Sequence, residues 1–291
     1  MKPVIVTDVE KSYHNKKALE PVSFEIEEGE LFGIIGPDGA GKTTLFRILA
    51  TLLLADRGDA YINGLDTVKD FRKVRNHIGY MPGRFSLYQD LSVEENLSFF
   101  ASVFSCNVSD NLYLVNDIYK QLEPFRKRRA GALSGGMKQK LALCCALIHK
   151  PSVLLLDEPT TGVDPVSRKE FWVMLKRLQK QGITTVVSTP YMDEATLCDR
   201  IMLIKDGKML DTDTPKGIVA KYPRKLYSVQ SKNIAVTLKS LRSNPDIDKA
   251  FSFGDNIHFT LKNNVSADYT EISPTIEDYF MLLSENNTNS N

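Results

Sequence analysis

The chain has 291 residues, a net charge of +1 and 25% charged residues, enough material for one large domain or two smaller ones. A balance so near neutral argues against a nucleic-acid partner, and the one local excess, Arg126-Lys127-Arg128-Arg129, reads as a solvated face rather than a phosphate or membrane contact. Cys106, Cys144, Cys145 and Cys198 show no metal-ligand spacing and read as buried thiols of a reducing compartment.

Met1-Lys2-Pro3 runs straight into the strand-like Val4-Ile5-Val6, with no leader pattern. Residues 3–66 read as β-rich, with strands over 4–9, 22–26, 31–35 and 59–62 and turn signals such as Asn63-Gly64. After the apolar run Leu31-Phe32-Gly33-Ile34-Ile35 comes Gly36-Pro37-Asp38-Gly39-Ala40-Gly41-Lys42-Thr43-Thr44, and a helical pattern follows it. Strand, glycine-rich loop and helix together fit the phosphate-binding pattern G-x-x-x-x-G-K-[ST]. The glycines let successive N–H groups turn inward around phosphate oxygens, and the helix start adds partial positive charge. Lys42 is placed to reach the β/γ-phosphates and the Thr43 hydroxyl to hold Mg²⁺. The chain is expected to bind a nucleoside triphosphate.

Residues 71–150 read as mainly helical, with a capped start at Ser92 supported by Glu95. The loop Ala130-Gly131-Ala132-Leu133-Ser134-Gly135-Gly136 opens onto a helix over 137–148, and its glycines leave free N–H groups, a second candidate anion site. The apolar stretch 141–148 falls far short of the ~18 residues of a membrane span. Work at a membrane is therefore expected to go through a partner.

Val153-Leu154-Leu155-Leu156-Asp157-Glu158-Pro159 is an apolar strand ending in two acids, the pattern of a carboxylate beside a phosphate loop. Asp157 is the candidate metal-associated acid and Glu158 the candidate catalytic carboxylate that polarises the attacking water. A helix over 171–181, a strand over 183–188 and a hairpin over 201–211 turning at Asp206-Gly207 follow. Composition shifts after Tyr222-Pro223 to a small α+β appendage, with strands over 226–230 and 258–261, helices over 234–242 and 276–283, and a polar tail over 284–291 expected to fray.

Phosphate loop, Leu133-Ser134-Gly135-Gly136 and Leu155-Leu156-Asp157-Glu158-Pro159-Thr160 stand in the order found in the ATP-binding subunits of ABC transporters, which residues 4–217 resemble. Pro274-Thr275-Ile276-Glu277-Asp278-Tyr279-Phe280 is similar to the tail of the ABC-2, drug-resistance type of exporter ATPase. The resemblance implies an α/β P-loop core with an antiparallel β subdomain, a helical subdomain at about 84–150 and an ATPase domain over 1–222, the appendage filling 223–291. It also implies Mg²⁺-dependent ATP hydrolysis. Tyr13 would stack on adenine. Ser134, Gly135 and Gly136 would bind the γ-phosphate held by a second ATPase, and the D-loop Gly162-Val163-Asp164 would cross to that partner. A separate integral membrane permease would be driven from the cytoplasmic face, with residues 84–96 as the candidate contact.

Two positions depart from the family pattern. A glutamine that contacts Mg²⁺ and the attacking water should follow Ile78-Gly79-Tyr80-Met81-Pro82, and Gly83 stands there. A histidine that bonds the γ-phosphate should follow Val186-Val187-Ser188-Thr189, and Pro190 stands there. His14, His77, His149 and His258 match no such position, while Gln89 or Tyr191 is a candidate replacement. A slow, degenerate site is expected, and with it a heterodimer rather than a homodimer. The competing readings are a soluble ABC-type ATPase acting on nucleic acid or ribosomes, and an ATP-binding structural subunit with negligible turnover.

Overall fold

The computed structural model describes residues 2–262 and 269–288. Two long strands open the chain, β1 (Val4–Tyr13) and β2 (Lys16–Ile26), paired antiparallel with Val4 opposite Ile26 and Tyr13 opposite Lys16. Strand alternation sends Val4 and Val6 inward, and the register shift after Val6 brings Val9 to the buried side as well. β3 (Leu31–Ile35) is buried at every position, as a strand covered on both faces must be. It leads to α1 (Lys42–Leu49), whose Leu45, Phe46, Ile48 and Leu49 pack into the core. β4 (Arg57–Ile62) and β5 (Leu65–Asp66) complete an antiparallel sheet in the order β2-β1-β4-β5.

α2 (Phe71–His77) then gives way to β6 (Ile78–Met81), a strand inside the segment that sequence pattern assigns to helices. Its neighbours explain it. Gly79 admits the backbone of the last of the three helices that follow, since a Cβ there would stand 2.3 Å from Ala146 O, and Ile78 registers against Val153. Three helices follow, α3 (Val93–Val103), α4 (Val108–Leu122) and α5 (Gly135–Leu147). The expected capping box starts α3: Ser92 Oγ accepts from Glu95 N at 3.2 Å, and Glu95 Oε2 from Ser92 N at 2.7 Å.

β7 (Val153–Asp157), α6 (Pro165–Lys180), β8 (Thr184–Thr189), β9 (Arg200–Lys205) and β10 (Lys208–Asp213) complete the second sheet, ordered β10-β9-β3-β8-β7-β6. All its pairs are parallel except β10 with β9. β8 thus lies between β3, which carries the phosphate loop, and β7, which carries the acids.

Contacts divide the chain into units 1–214 and 215–291, ahead of the boundary expected at Tyr222. The second unit holds α7 (Pro215–Ala220), β11 (Leu226–Gln230), α8 (Ile234–Ser243), β12 (Ile247–Phe253), β13 (Asn256–Leu261), β14 (Thr270–Ile272) and α9 (Ile276–Thr288). Its antiparallel sheet runs β12-β13-β11-β14 over a small core of Leu241, Ile247, Ala250, Ile257 and Phe259. β12 and β14 add to the two strands expected there. α9 continues to Thr288, through most of the tail expected to fray, and residues 289–291 of that tail lie outside the described residues.

Candidate functional site

The loop between β3 and α1 is shaped by close backbone approach. A Cβ on Gly36 would stand 2.0 Å from Ile204 O, and one on Gly41, at φ +101°, 2.4 Å from Ala18 O. The β9–β10 turn braces the loop from outside, with Gly207 N donating to Ala40 O at 3.0 Å. Lys42 is 3% exposed, and its Nζ donates to Gly36 O at 2.7 Å and Pro37 O at 2.9 Å and lies 3.1 Å from Glu158 Oε1. Three acceptors for three N–H bonds make a buried ammonium tolerable.

Asp157 ends β7 and registers beside Ser188 of β8. Its Oδ1 accepts from Ser188 Oγ at 2.7 Å. Burial pushes the Asp157 carboxyl above the ordinary carboxylate range, while hydrogen bonds from Ser188 and Thr43 oppose that shift. The next residue, Glu158, turns at φ +50°, its N–H held by Ser188 Oγ at 2.9 Å, and this aims its carboxylate at Lys42. Burial, with the Asp157 charge second, raises the nearby Tyr80 phenol to about 12.

A cavity of about 360 Å³ gathers Tyr13, Gly39, Ala40, Gly41, Lys42, Thr43, Thr44 and Glu158 with Lys16, Lys17, Ala18 and Asp206. Glycine backbone, an ammonium and an exposed aromatic suit a nucleotide's phosphates and base. The Thr43 hydroxyl and the buried Asp157 carboxylate suit Mg²⁺, which takes one or two protein oxygens and completes its shell with water and phosphate. Among the described residues no cluster of three His, Cys, Asp or Glu side chains is placed to hold a metal by itself.

The signature residues stand apart from this cavity. Ser134 caps α5 by accepting from Met137 N at 3.4 Å, and Gly135 and Gly136 form the helix's first turn. Gly136 abuts α6, where a Cβ would meet Ser167 Oγ at 2.6 Å. Asp164 caps α6 through Ser167 N at 3.0 Å, a hydrogen bond that holds its carboxyl below the ordinary range. Among the described residues, none of 133–136 lines the cavity, and neither does Asp164.

Of the two departures, Gly83 lies against the acid strand: a Cβ there would stand 3.1 Å from Asp157 O and 3.8 Å from Asp157 Oδ2. Pro190 follows the last residue of β8. Neither candidate replacement lines the cavity, since Gln89 pairs with Gly131 N through its carbonyl at 2.9 Å and Tyr191 carries the Arg168 guanidinium over its ring at 4.1 Å. Sequence reasoning missed Ser188, which orients both acids, and its available signal was a hydroxyl pair ending an apolar strand. It also missed Lys16, Lys17 and Asp206, which only the tertiary fold brings to the loop.

A mostly parallel sheet with a glycine phosphate loop after one strand and paired acids at the end of another defines a P-loop nucleotide-binding fold. The family described as ABC transporter matches residues 19–161. The chain is 32% identical to the Nod factor export ATP-binding protein I of Burkholderia pseudomallei, over 97% of this chain and 96% of that protein. It is 37% identical to the probable multidrug ABC transporter ATP-binding protein YbhF of Escherichia coli, over 92% of this chain, and spans only 49% of that relative's length. Among solved structures, cbiO1 from Clostridium perfringens, part of the ABC transporter complex cbiONQ, is 28% identical at TM-score 0.67, covering 76% of this chain and 91% of that one. A dimeric ATP-binding cassette in a post-hydrolysis state with ADP and Pi is 29% identical at TM-score 0.66, covering 72% of this chain and 98% of that one. The chain belongs to the ABC transporter ATP-binding family. No helix among the described residues is long and apolar enough to cross a membrane.

Proposed function

We propose that this chain is the ATP-binding and ATP-hydrolysing subunit of an ABC exporter, peripheral to the cytoplasmic membrane face, driving a separate integral permease. Export rests on the relatives named for Nod factor export and multidrug transport. Tyr13 stacks on adenine, residues 36–44 wrap the phosphates, Thr43 and Asp157 hold Mg²⁺, and Glu158 polarises water. Bound Mg²⁺ would neutralise charge on the phosphates. Leu133, Ser134, Gly135, Gly136 and Asp164 serve a second ATPase chain, a reading supported by their absence from the lining of their own phosphate-loop cavity. A groove of about 470 Å³ that includes Phe85, Leu87, Phe100, Val103 and Phe104 takes an apolar helix of the permease, and it overlaps the expected contact at 84–96.

The observation that carries the finer reading is at position 83. A side chain there would start 3.8 Å from the Asp157 carboxylate, and glycine leaves that place without a donor. Pro190 likewise supplies no hydrogen-bond donor at the end of β8. Losing one such donor costs ~10²–10³ in rate, so this chain's own site is slow and a heterodimer with a complete ATPase is favoured. Turnover of the purified chain beside a Gly83→Gln, Pro190→His double variant tests this. A slow wild type with a faster variant supports the reading, and fast turnover by the wild type alone refutes it.

A further inference from the structure

Glu194 takes no part in the function proposed above, yet it is only 2% exposed. A buried carboxylate is costly unless its oxygens are bonded. Its Oε2 accepts from Thr189 Oγ1 at 2.5 Å and from Thr160 Oγ1 at 3.0 Å. Those hydroxyls belong to separate segments. Thr189 ends β8 just before Pro190, and Thr160 lies in the turn from Glu158 to Asp164. The other oxygen, Oε1, and Arg168 Nε are both buried without a hydrogen-bond partner, and they stand 3.6 Å apart. Arg168 belongs to the first turn of α6, its N–H donating to Asp164 O at 2.9 Å. Its guanidinium covers the Tyr191 ring, and Tyr191 N returns to Thr189 Oγ1 at 3.1 Å. One carboxylate thus touches the end of β8, the turn after the acids and the helix that follows the D-loop.

We propose that Glu194 is a positioning residue that holds the D-loop, Gly162-Val163-Asp164, and the end of β8 as one unit through Thr160, Thr189 and Arg168. The loop offered to a second ATPase is then set by protein side chains instead of by a nucleotide-contacting group at position 190. Closing the gap between Oε1 and Nε by about 1 Å would make a charge-assisted bond and draw the first turn of α6 inward. The inference rests on the reading above that this loop serves a second chain.

The test uses the full-length chain carrying Glu194→Ala, Glu194→Gln or Thr160→Val, with amide exchange, affinity for a fluorescent ATP analogue, and turnover of the membrane complex isolated with each variant. Glu194→Ala should speed exchange across residues 160–168 roughly tenfold or more. Thr160→Val should do so less, and Glu194→Gln, which keeps an acceptor for both hydroxyls, should restore most protection. Analogue affinity should stay at the wild-type value while complex turnover falls about 10- to 100-fold, as for groups misplaced by an ångström. Unchanged exchange across 160–168 in Glu194→Ala and Thr160→Val overturns the proposal, and so does a loss of analogue affinity that matches the loss of turnover. Faster exchange with undiminished complex turnover upholds the positioning and overturns the service to a second site.

Discussion

Lys42 Nζ and Glu158 Oε1 lie 3.1 Å apart, so the ammonium of the phosphate loop and the carboxylate after the acid strand satisfy each other. A γ-phosphate must compete with Glu158 for the lysine. Glu158→Gln weakens that competition, and equilibrium binding should show nucleotide affinity held or increased. With Glu158 the general base proposed above, phosphate release should meanwhile fall ~10²–10⁴-fold. Lys42→Met should instead lower nucleotide affinity roughly 10- to 100-fold, the worth of a charge-assisted bond.

Asp157 offers a stability test with a definite sign. Its folded-state pKa lies above the ordinary 3.8, with burial the first cause, so the folded chain holds this proton more tightly than the unfolded one. The ionised group therefore costs stability as pH rises from 3.8 through the raised value, and that cost persists at neutral pH. Asp157→Asn should raise the thermal midpoint at pH 7 without Mg²⁺ and nucleotide, with the difference vanishing below pH 3.8. The variant should also lose the stabilisation that Mg²⁺ with ATP adds to wild type. Melting curves across pH, with and without both, check this.

Gly136 is a packing constraint as well as a signature residue. A Cβ there meets Ser167 Oγ at 2.6 Å and Ser167 Cβ at 2.8 Å. Gly136→Ala should cost about 1–3 kcal/mol in denaturant unfolding, as overpacking does. Adding Ser167→Gly removes the obstructing atoms and should recover part of that loss, and additive losses would contradict the contact.

In the C-terminal unit, Asp278 is fully buried and accepts from Thr275 N at 2.8 Å and Thr275 Oγ1 at 2.7 Å, with His258 Nδ1 at 2.7 Å. These bonds tie the start of α9 to β13. Asp278→Ala leaves buried donors unpaired, at about 1–3 kcal/mol. Limited proteolysis should then cut within residues 276–288 well before the first unit is attacked.

The phosphate loop, the paired acids and the signature helix were legible because each is a local event. Gly41 takes φ +101° immediately before Lys42 and Ser134 caps the helix it begins, whereas the close approaches that need Gly36 and Gly41, to Ile204 O and Ala18 O, come from distant segments. The strand β6 was not legible, since four residues of an edge strand carry too little pattern to stand out between helices. β12 and β14 escaped for a related reason, β14 being three residues paired, among the described residues, with β11.

From the order of its motifs the sequence determined the P-loop α/β class, the candidate nucleotide-binding residues and the two departures at Gly83 and Pro190. What those departures face was decided by the tertiary structure. Parallel register sets Asp157 beside Ser188, and the connection after β6 brings Gly83 to the same carboxylate. Glu194 meets Thr160, Thr189 and Arg168 only once β7, β8 and α6 have packed. Local sterics act through neighbours in the chain, whereas parallel strands are joined by long crossovers, so the groups they align are distant in sequence and leave no periodic trace in it.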